Sequence, residues 1–315
     1  MRALLCLVLA LPTTTARGAE IYPLSELAQR KADLRRDIEL TVWNDILLRL
    51  NDDTRRRLRD ISIDITLRDE TFPDAPPHTA YAVPATKTIE LPIESLHFWG
   101  DMGLVFAWFE HRGCDLGYVS SYLYQIGNRL TATPPMDAFA LDRDTLIAVD
   151  FVDTLSQRIT TTAFNFILAH EMGHLFVSTF GPTSDFTSLQ HETMADLFAM
   201  EAMASRNLPP LGMNFFFFGT RFLPQRETPQ GLPSHPPTAE RIETIARIIG
   251  AQIDRFVPPD LQGVKRELNR AQLRSFLSDM GKLAAWMRDG TAHDVLVENL
   301  PRVYPAHRLS TACPV

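Results

Sequence analysis

The longest regular pattern in the chain is a run of apolar residues at helical spacing. Between positions 154 and 180, Leu155, Ile159, Ala163 and Phe166 recur three or four residues apart, which places them on one face of a helix. Glycine and proline follow directly, and such a pair is a frequent stop at a helix C-terminus. The pattern predicts one long helix over residues 154–180.

Similar spacing predicts further helices along the chain. They are expected over residues 25–50, over 96–126 in two pieces divided near Gly113, and over 187–207, 234–250 and 261–288. The helix at 187 opens with Thr-Ser-Leu-Gln, which is a capping-box pattern. Residues 131–153 contain two adjacent prolines and five aspartates without calcium-loop spacing, so a connecting loop is expected there.

Strand-like alternation occurs only upstream of the long helix. Ile61, Ile63, Ile65 and Leu67 alternate with polar residues, which is the period of a half-buried strand. Two shorter strands are expected over residues 79–83 and 88–91, joined by a turn at 84–87. These patterns predict a small antiparallel sheet and a mainly helical α+β fold.

The first residues indicate where the protein acts. A basic start at Arg2, a short apolar run to Leu11 and small residues near position 18 predict a secretory signal peptide over residues 1–18. A buried segment or an uncleaved anchor is the alternative. The apolar run is too short to span a bilayer, so no transmembrane span is expected after signal removal. The expected location is periplasmic or secreted.

Export also changes how charge and cysteines are interpreted. The signal contains Arg2 and Arg17 and no acid, so its removal changes the formal charge from -7 to -9. An acidic exported protein is a poor candidate for binding nucleic acid. Cys114 and Cys313 remain as a candidate disulfide in an oxidising compartment, and two unpaired buried thiols are the alternative.

The long predicted helix carries a metal-binding motif, His170-Glu171-Met172-Gly173-His174. Two histidines four residues apart project from one helix face and can share one metal ion. Glu171 lies about 100° around the helix, where its carboxylate can take a proton from a metal-activated water. The apolar flanks argue against a chance match on an amphipathic helix. The motif predicts a zinc (Zn2+) site with Glu171 as the general base.

A catalytic zinc takes three protein ligands, so the two histidines need one further donor. Glu192, near the start of the next predicted helix, is the candidate. Asp196 follows one turn later and can accept a hydrogen bond from the free ring nitrogen of His170, which would fix its tautomer. His191 is the rival donor, although it points about 100° away from Glu192. The alternative to both roles is that Glu192 and Asp196 are acidic residues on a solvated helix face.

These motifs resemble the gluzincin metallopeptidases, in which an HExxH helix is followed by a helix carrying Glu-x-x-x-Asp. A metzincin would need Gly at 177 and His at 180, where this chain has Val177 and Phe180. Residues 192–196 (Glu-Thr-Met-Ala-Asp) and 234–242 (Ser-His-Pro-Pro-Thr-Ala-Glu-Arg-Ile) are similar to the CAAX prenyl protease and HtpX-type family. A Lit-like phage-exclusion peptidase is a neighbouring alternative with the same zinc chemistry.

The resemblance implies a zincin-like metallopeptidase domain and further site residues. His235 or Arg241 would stabilise the developing oxyanion, and a salt bridge to a helix carboxylate is the alternative role for Arg241. The strand at 79–83 is similar to the family's Asn-Ala-Phe-Ala strand, with Thr in place of Asn. Ala80, Tyr81 and Ala82 are therefore the expected edge to which a substrate backbone adds.

The expected organisation has four parts. They are a signal peptide (1–18), an N-terminal helical segment (19–60), the zincin-like domain (61–250, with a helical insertion at about 96–153) and a C-terminal helix and tail (251–315). The expected function is a zinc-dependent endopeptidase acting on peptides or proteins. The alternatives are a catalytically silent zinc-bound chaperone or scaffold, and a zinc hydrolase of non-peptide amides. The apolar tetrad at 215–218 is expected in the core, with a substrate pocket or a membrane contact as alternatives.

Overall fold

The computed structural model describes residues 21–68, 80–127, 133–180, 186–220 and 238–289. In chain order the helices are α1 (Leu24–Leu40), α2 (Asp52–Arg57), α3 (Ile93–Arg112), α4 (Gly117–Gly127), α5 (Pro135–Ala138), α6 (Arg143–Ile147), α7 (Asp150–Ser178), α8 (Ser188–Ser205), α9 (Gly212–Thr220), α10 (Ala239–Ala251) and α11 (Gly263–Asp289). The strands are β1 (Ser62–Thr66), β2 (Tyr81–Val83) and β3 (Thr88–Pro92). The mainly helical α+β class is confirmed.

The main predicted helices are present, and local signals set their ends. Gly113 separates α3 from α4 and adopts a left-handed conformation with φ of 63°, which a glycine reaches at little cost. The predicted capping box begins α8, because Thr187 accepts from the Gln190 N–H and the Gln190 side chain accepts from the Thr187 N–H. These local sequence signals therefore predicted the division between α3 and α4 and the start of α8.

The segment predicted as one helix over residues 25–50 changes pitch along its length. After α1 the chain forms a π-helix over Thr41–Ile46 and a 3-10 helix over Leu47–Arg49. Ile38, Val42 and Ile46 are all buried. In an α-helix, residues four positions apart are offset by about 40° around the helix axis. The wider turn of the π-helix counters this offset. The change of pitch keeps these side chains against the core.

The prediction of a connecting loop over residues 131–153 is wrong for the part that the structure describes. The chain there forms α5 and α6, and α7 already begins at Asp150. Pro135 occupies the first turn of α5, where a missing N–H costs no helical hydrogen bond. The Asp142 side chain accepts from the Thr145 N–H at 2.9 Å and caps α6. The prolines and aspartates thus start short helices here.

The sheet is mixed, whereas an antiparallel sheet was predicted. Its strand order is β1-β3-β2. The β2–β3 hairpin is antiparallel as expected, with Ala82 opposite Ile89, but β1 runs parallel to β3, with Ser62 opposite Thr88. Alternation along a strand reveals its buried face and not its neighbour, so the sequence could not show that β3 is central. As a consequence, β2 is an outer strand.

One hydrophobic core runs through the described residues. It includes Leu27, Ile65, Phe166, Ile245 and Met280, which come from the predicted N-terminal segment, the predicted domain and the predicted C-terminal helix. The boundaries expected at residues 60 and 250 stay predictions. Helix α7 packs against α3, α8 and α9. In the ranges that the structure covers, no helix has both the length and the apolar content needed to cross a membrane.

Gly173 sets the distance between α7 and α8. A Cβ atom at this position would lie 2.8 Å from the Ala195 Cα and 3.0 Å from the Ala195 carbonyl oxygen. Both are backbone atoms, so no flexible side chain could move away to make room. The absence of a side chain at Gly173 therefore lets the two helices approach closely at the level of His174.

We expect Gly173→Ala to destabilise the protein by about 2 kcal/mol, because the added methyl forces α7 and α8 apart. Denaturant unfolding of purified protein measures this effect. Gly281→Ala is the matched control, since a Cβ at Gly281 in α11 meets nothing within 4 Å, and its stability should be unchanged or higher by up to about 1 kcal/mol. Equal free energies of unfolding for the two variants would contradict the proposed close contact.

Candidate active site

Helix α7 brings two imidazoles together on one face. The Nε2 atoms of His170 and His174 lie 3.1 Å apart, as expected for residues separated by one helical turn. His170 is buried, and its ring stacks on Phe166 with the ring centroids 6.1 Å apart. The Nε2 atoms of the two rings thus face the same point at the side of α7.

Helix α8 supplies a carboxylate to the same point. Glu192 Oε2 lies 3.3 Å from His170 Nε2, and Glu192 Oε1 lies 3.3 Å from His174 Nε2. One ligand atom from each of the three residues lies within 4.8 Å of the others, in a geometry that could hold a metal ion. His191, the rival donor, is not part of this group, and its ring lies against Phe186.

Asp196 lies behind His170, one turn after Glu192. The His170 Nδ1 atom is 2.9 Å from Asp196 Oδ1, while its Nε2 atom faces Glu192 and His174. This places the carboxylate where the sequence predicted it, next to the ring nitrogen that does not face the donor group. A carboxylate in this position holds the tautomer and the orientation of a metal-binding histidine.

Arg241, on α10, binds Glu192 and Asp196 of α8. Its Nε and Nη2 atoms each donate to Asp196 at 2.8 Å, and its Nη1 atom lies 2.9 Å from Glu192 Oε2. The guanidinium also lies over the Phe217 ring, 5.1 Å from its centroid. All three guanidinium nitrogens are therefore engaged with α8. These contacts favour the salt-bridge role for Arg241 over that of an oxyanion donor.

The charges of this cluster suit a divalent cation. Glu171, Glu192, Asp196 and Arg241 are at most 4 % exposed. Three carboxyl groups face a single guanidinium in this buried volume, and buried charge is costly unless it is paired. Two imidazoles and one carboxylate are also the donor types that zinc prefers at catalytic sites. The residues present therefore fit a bound zinc ion.

The ionisation of Asp196 and the histidines follows from burial and contacts. Burial lowers the pKa of His170, but its contacts with Asp196 and Glu192 outweigh burial and raise that pKa to about 10. Burial dominates for His174 and lowers its pKa. Burial favours a raised pKa for Asp196, but Arg241 and His170 together lower it. Asp196 is therefore ionised at neutral pH, as an acceptor for His170 must be.

Glu171 connects the helix motif to the sheet. Its side chain is 2 % exposed, and its Oε2 atom accepts a hydrogen bond from the Ala82 backbone N–H at 2.7 Å. Ala82 belongs to β2, an outer strand of the sheet, with Tyr81 beside it and Ala80 directly before the strand. The predicted substrate edge therefore lies next to the predicted general base.

Two aromatic residues of the site were not predicted. Phe166 and Phe217 pack together at 6.1 Å beneath His170 and Arg241. Phe166 precedes His170 by one turn on the same helix, so helical spacing could have identified it. Phe217 belongs to the apolar tetrad, and its burial agrees with the expected core position. Nothing in the tetrad's pattern indicates a contact with Arg241.

His235 lies outside the described residues, as do Cys313 and Thr79. Cys114 is disulfide-bonded, and its pairing with Cys313 stays a prediction. The candidate site thus rests on residues of β2, α7, α8 and α10.

Residues 143–257 match one known protein family, Peptidase U49. The matched segment contains the histidines of α7, Glu192 and Asp196 of α8, and Arg241 of α10. Lit-like peptidases, the neighbouring alternative from the sequence motifs, are in this family. The comparisons with curated proteins and with solved structures found no match. The family match supports a peptidase.

We expect Asp196→Asn to reduce metal affinity or activity by roughly 10- to 100-fold, because the amide is a weaker acceptor for His170. Glu201→Ala on the same helix is the control. Glu201 forms an ion pair with Arg255 in which its side chain is 62 % exposed, and such pairs contribute little. Metal content and peptide hydrolysis measure both variants. Identical behaviour of the two variants would exclude Asp196 from the site.

Proposed function

We propose that this protein is a zinc-dependent endopeptidase that acts outside the cytoplasm. The main support is the buried group of His170, His174 and Glu192, with Glu171 beside it. The match to a peptidase family over the same helices also supports it. Zinc is proposed because its catalytic sites take three nitrogen or oxygen ligands from the protein and keep one position open.

In the proposed reaction, zinc bound by these three residues would supply Lewis-acid activation of water and of the scissile carbonyl. Glu171 takes the proton of the attacking water and then donates it to the leaving amine. Asp196 keeps His170 in the tautomer whose Nε2 atom can bind a metal. Arg241 holds Glu192 and Asp196 in place, which leaves His235 as the candidate donor to the oxyanion.

The outer edge of β2 supports the proposal that the substrate is a polypeptide. A strand at the edge of a sheet can pair with an extended peptide through backbone hydrogen bonds. Here that edge adjoins Glu171, since Ala82 contacts its carboxylate. A substrate paired with β2 would therefore place its backbone beside the general base. A small non-peptide amide gains nothing from this arrangement, and a silent zinc module has no need of Glu171.

Metal analysis combined with casein hydrolysis tests this function. We expect about one zinc per chain in the wild type, loss of zinc in His174→Ala, and retention of zinc in Glu171→Gln. Casein hydrolysis by Glu171→Gln should fall by at least about 100-fold, because the general base is lost. Wild-type protein isolated without chelator and free of metal would exclude the proposal. Full activity of Glu171→Gln would exclude the assigned base.

The proposed location rests on the N-terminal pattern and on the disulfide-bonded state of Cys114. Disulfides persist in oxidising compartments, which agrees with export. We expect Cys114 and Cys313 to be paired in the mature protein. Alkylation of denatured protein without reductant, followed by mass spectrometry, should label neither residue. Two labelled cysteines would contradict the pairing and remove one argument for export.

A further inference from the structure

The Ala82 N–H has two potential partners. In the structure it donates to Glu171 Oε2 at 2.7 Å, so it faces away from β3, the only strand with which β2 pairs in the described sheet. The neighbouring pairs, Tyr81 with Glu90 and Val83 with Thr88, join β2 to β3. Within the described strand, the outward backbone donor is therefore already bound by the proposed general base.

A peptide that adds to the outer edge of β2 requires the same donor. Strand pairing uses the outward N–H and C=O groups of alternate residues, and Ala82 is the central residue of the three-residue strand. A backbone amide carries a single hydrogen and makes one strong hydrogen bond. Glu171 and an arriving peptide cannot both use it fully.

We propose that substrate and Glu171 compete for the Ala82 N–H, and that strand pairing by the substrate releases the Glu171 carboxylate for its role as base. This inference rests on the proposed endopeptidase function. The exchange replaces a hydrogen bond to a carboxylate with one to a neutral peptide carbonyl, so it weakens peptide binding by about the difference between the two. Extended polypeptides can make this exchange. Small amides that do not reach β2 leave Glu171 bound to the strand.

A double-mutant cycle on peptide binding tests the competition. The probe is a fluorescent casein peptide that spans a bond cleaved by the wild type, with the scissile amide replaced by a CH2–NH linkage. Its affinity for the zinc-loaded full-length protein is measured by fluorescence anisotropy. The cycle combines Glu171→Ala, which removes the competitor, with Ala82→Pro, which removes the contested donor. The zinc content of each variant is measured in parallel.

Proline is suited to position 82, because prolines occur in edge strands where the N–H points out of the sheet. Replacement of residue 82 by lactate, which exchanges the amide for an ester, is the second version of this change if Ala82→Pro does not fold. Both versions leave the pairs of Tyr81 and Val83 with β3 in place.

We expect Glu171→Ala to tighten peptide binding about tenfold when Ala82 is present, which is the effect of one hydrogen bond to a charged group. In the Ala82→Pro or lactate background the same change should lack this tenfold gain. This difference isolates the shared N–H from general effects of charge and packing.

Two results overturn the inference, and they are distinguishable. If Glu171→Ala changes affinity equally in both backgrounds, the Ala82 N–H does not couple substrate to Glu171, although the endopeptidase function stands. If the wild type cleaves no casein bond under zinc-loaded conditions, the proposed function fails and the inference fails with it.

Discussion

The structure depends on the compensation of negative charge where α7, α8 and α10 meet. Glu192 and Asp196 are each 1 % exposed, and an unpaired carboxylate at such a depth would be unstable. Arg241 pairs with both, and the two histidines of α7 provide the remaining polar partners. One guanidinium faces three carboxyl groups, and a protonated His170 or a bound cation supplies further positive charge. The same electrostatic requirement thus aligns the helices and creates the place for a metal.

The helices that carry the site were predictable because each has a local signal. Apolar spacing located α7, and the Thr187 capping box located the start of α8. The order of the strands was not predictable, since alternation in β1 indicates only which face is buried. The helices α5 and α6 were missed for a related reason. Proline and aspartate occur both in loops and in the first turns of helices, and only tertiary packing decides between these outcomes.

Within the site, ligand spacing predicted the positions of His170, His174, Glu192 and Asp196 relative to one another. It could not predict that Arg241 would contact both acids, because that contact depends on how α10 packs against α8. The hydrogen bond between Ala82 and Glu171 was also not predictable from the sequence, since the two residues are 89 positions apart and belong to β2 and α7. To predict a contact of this kind, the orientation of β2 relative to α7 must be known, and no local sequence pattern gives that orientation.

Anomalous diffraction at the zinc absorption edge, from crystals of the protein purified without chelator, tests the central claim most directly. The proposed site predicts one strong peak within about 2.0–2.2 Å of His170 Nε2, of His174 Nε2 and of a Glu192 carboxylate oxygen. It also predicts that Asp196 Oδ1 stays next to His170 Nδ1, where the two atoms are 2.9 Å apart in the structure. A peak at other residues, or no anomalous signal in crystals of active protein, would contradict the proposed zinc site.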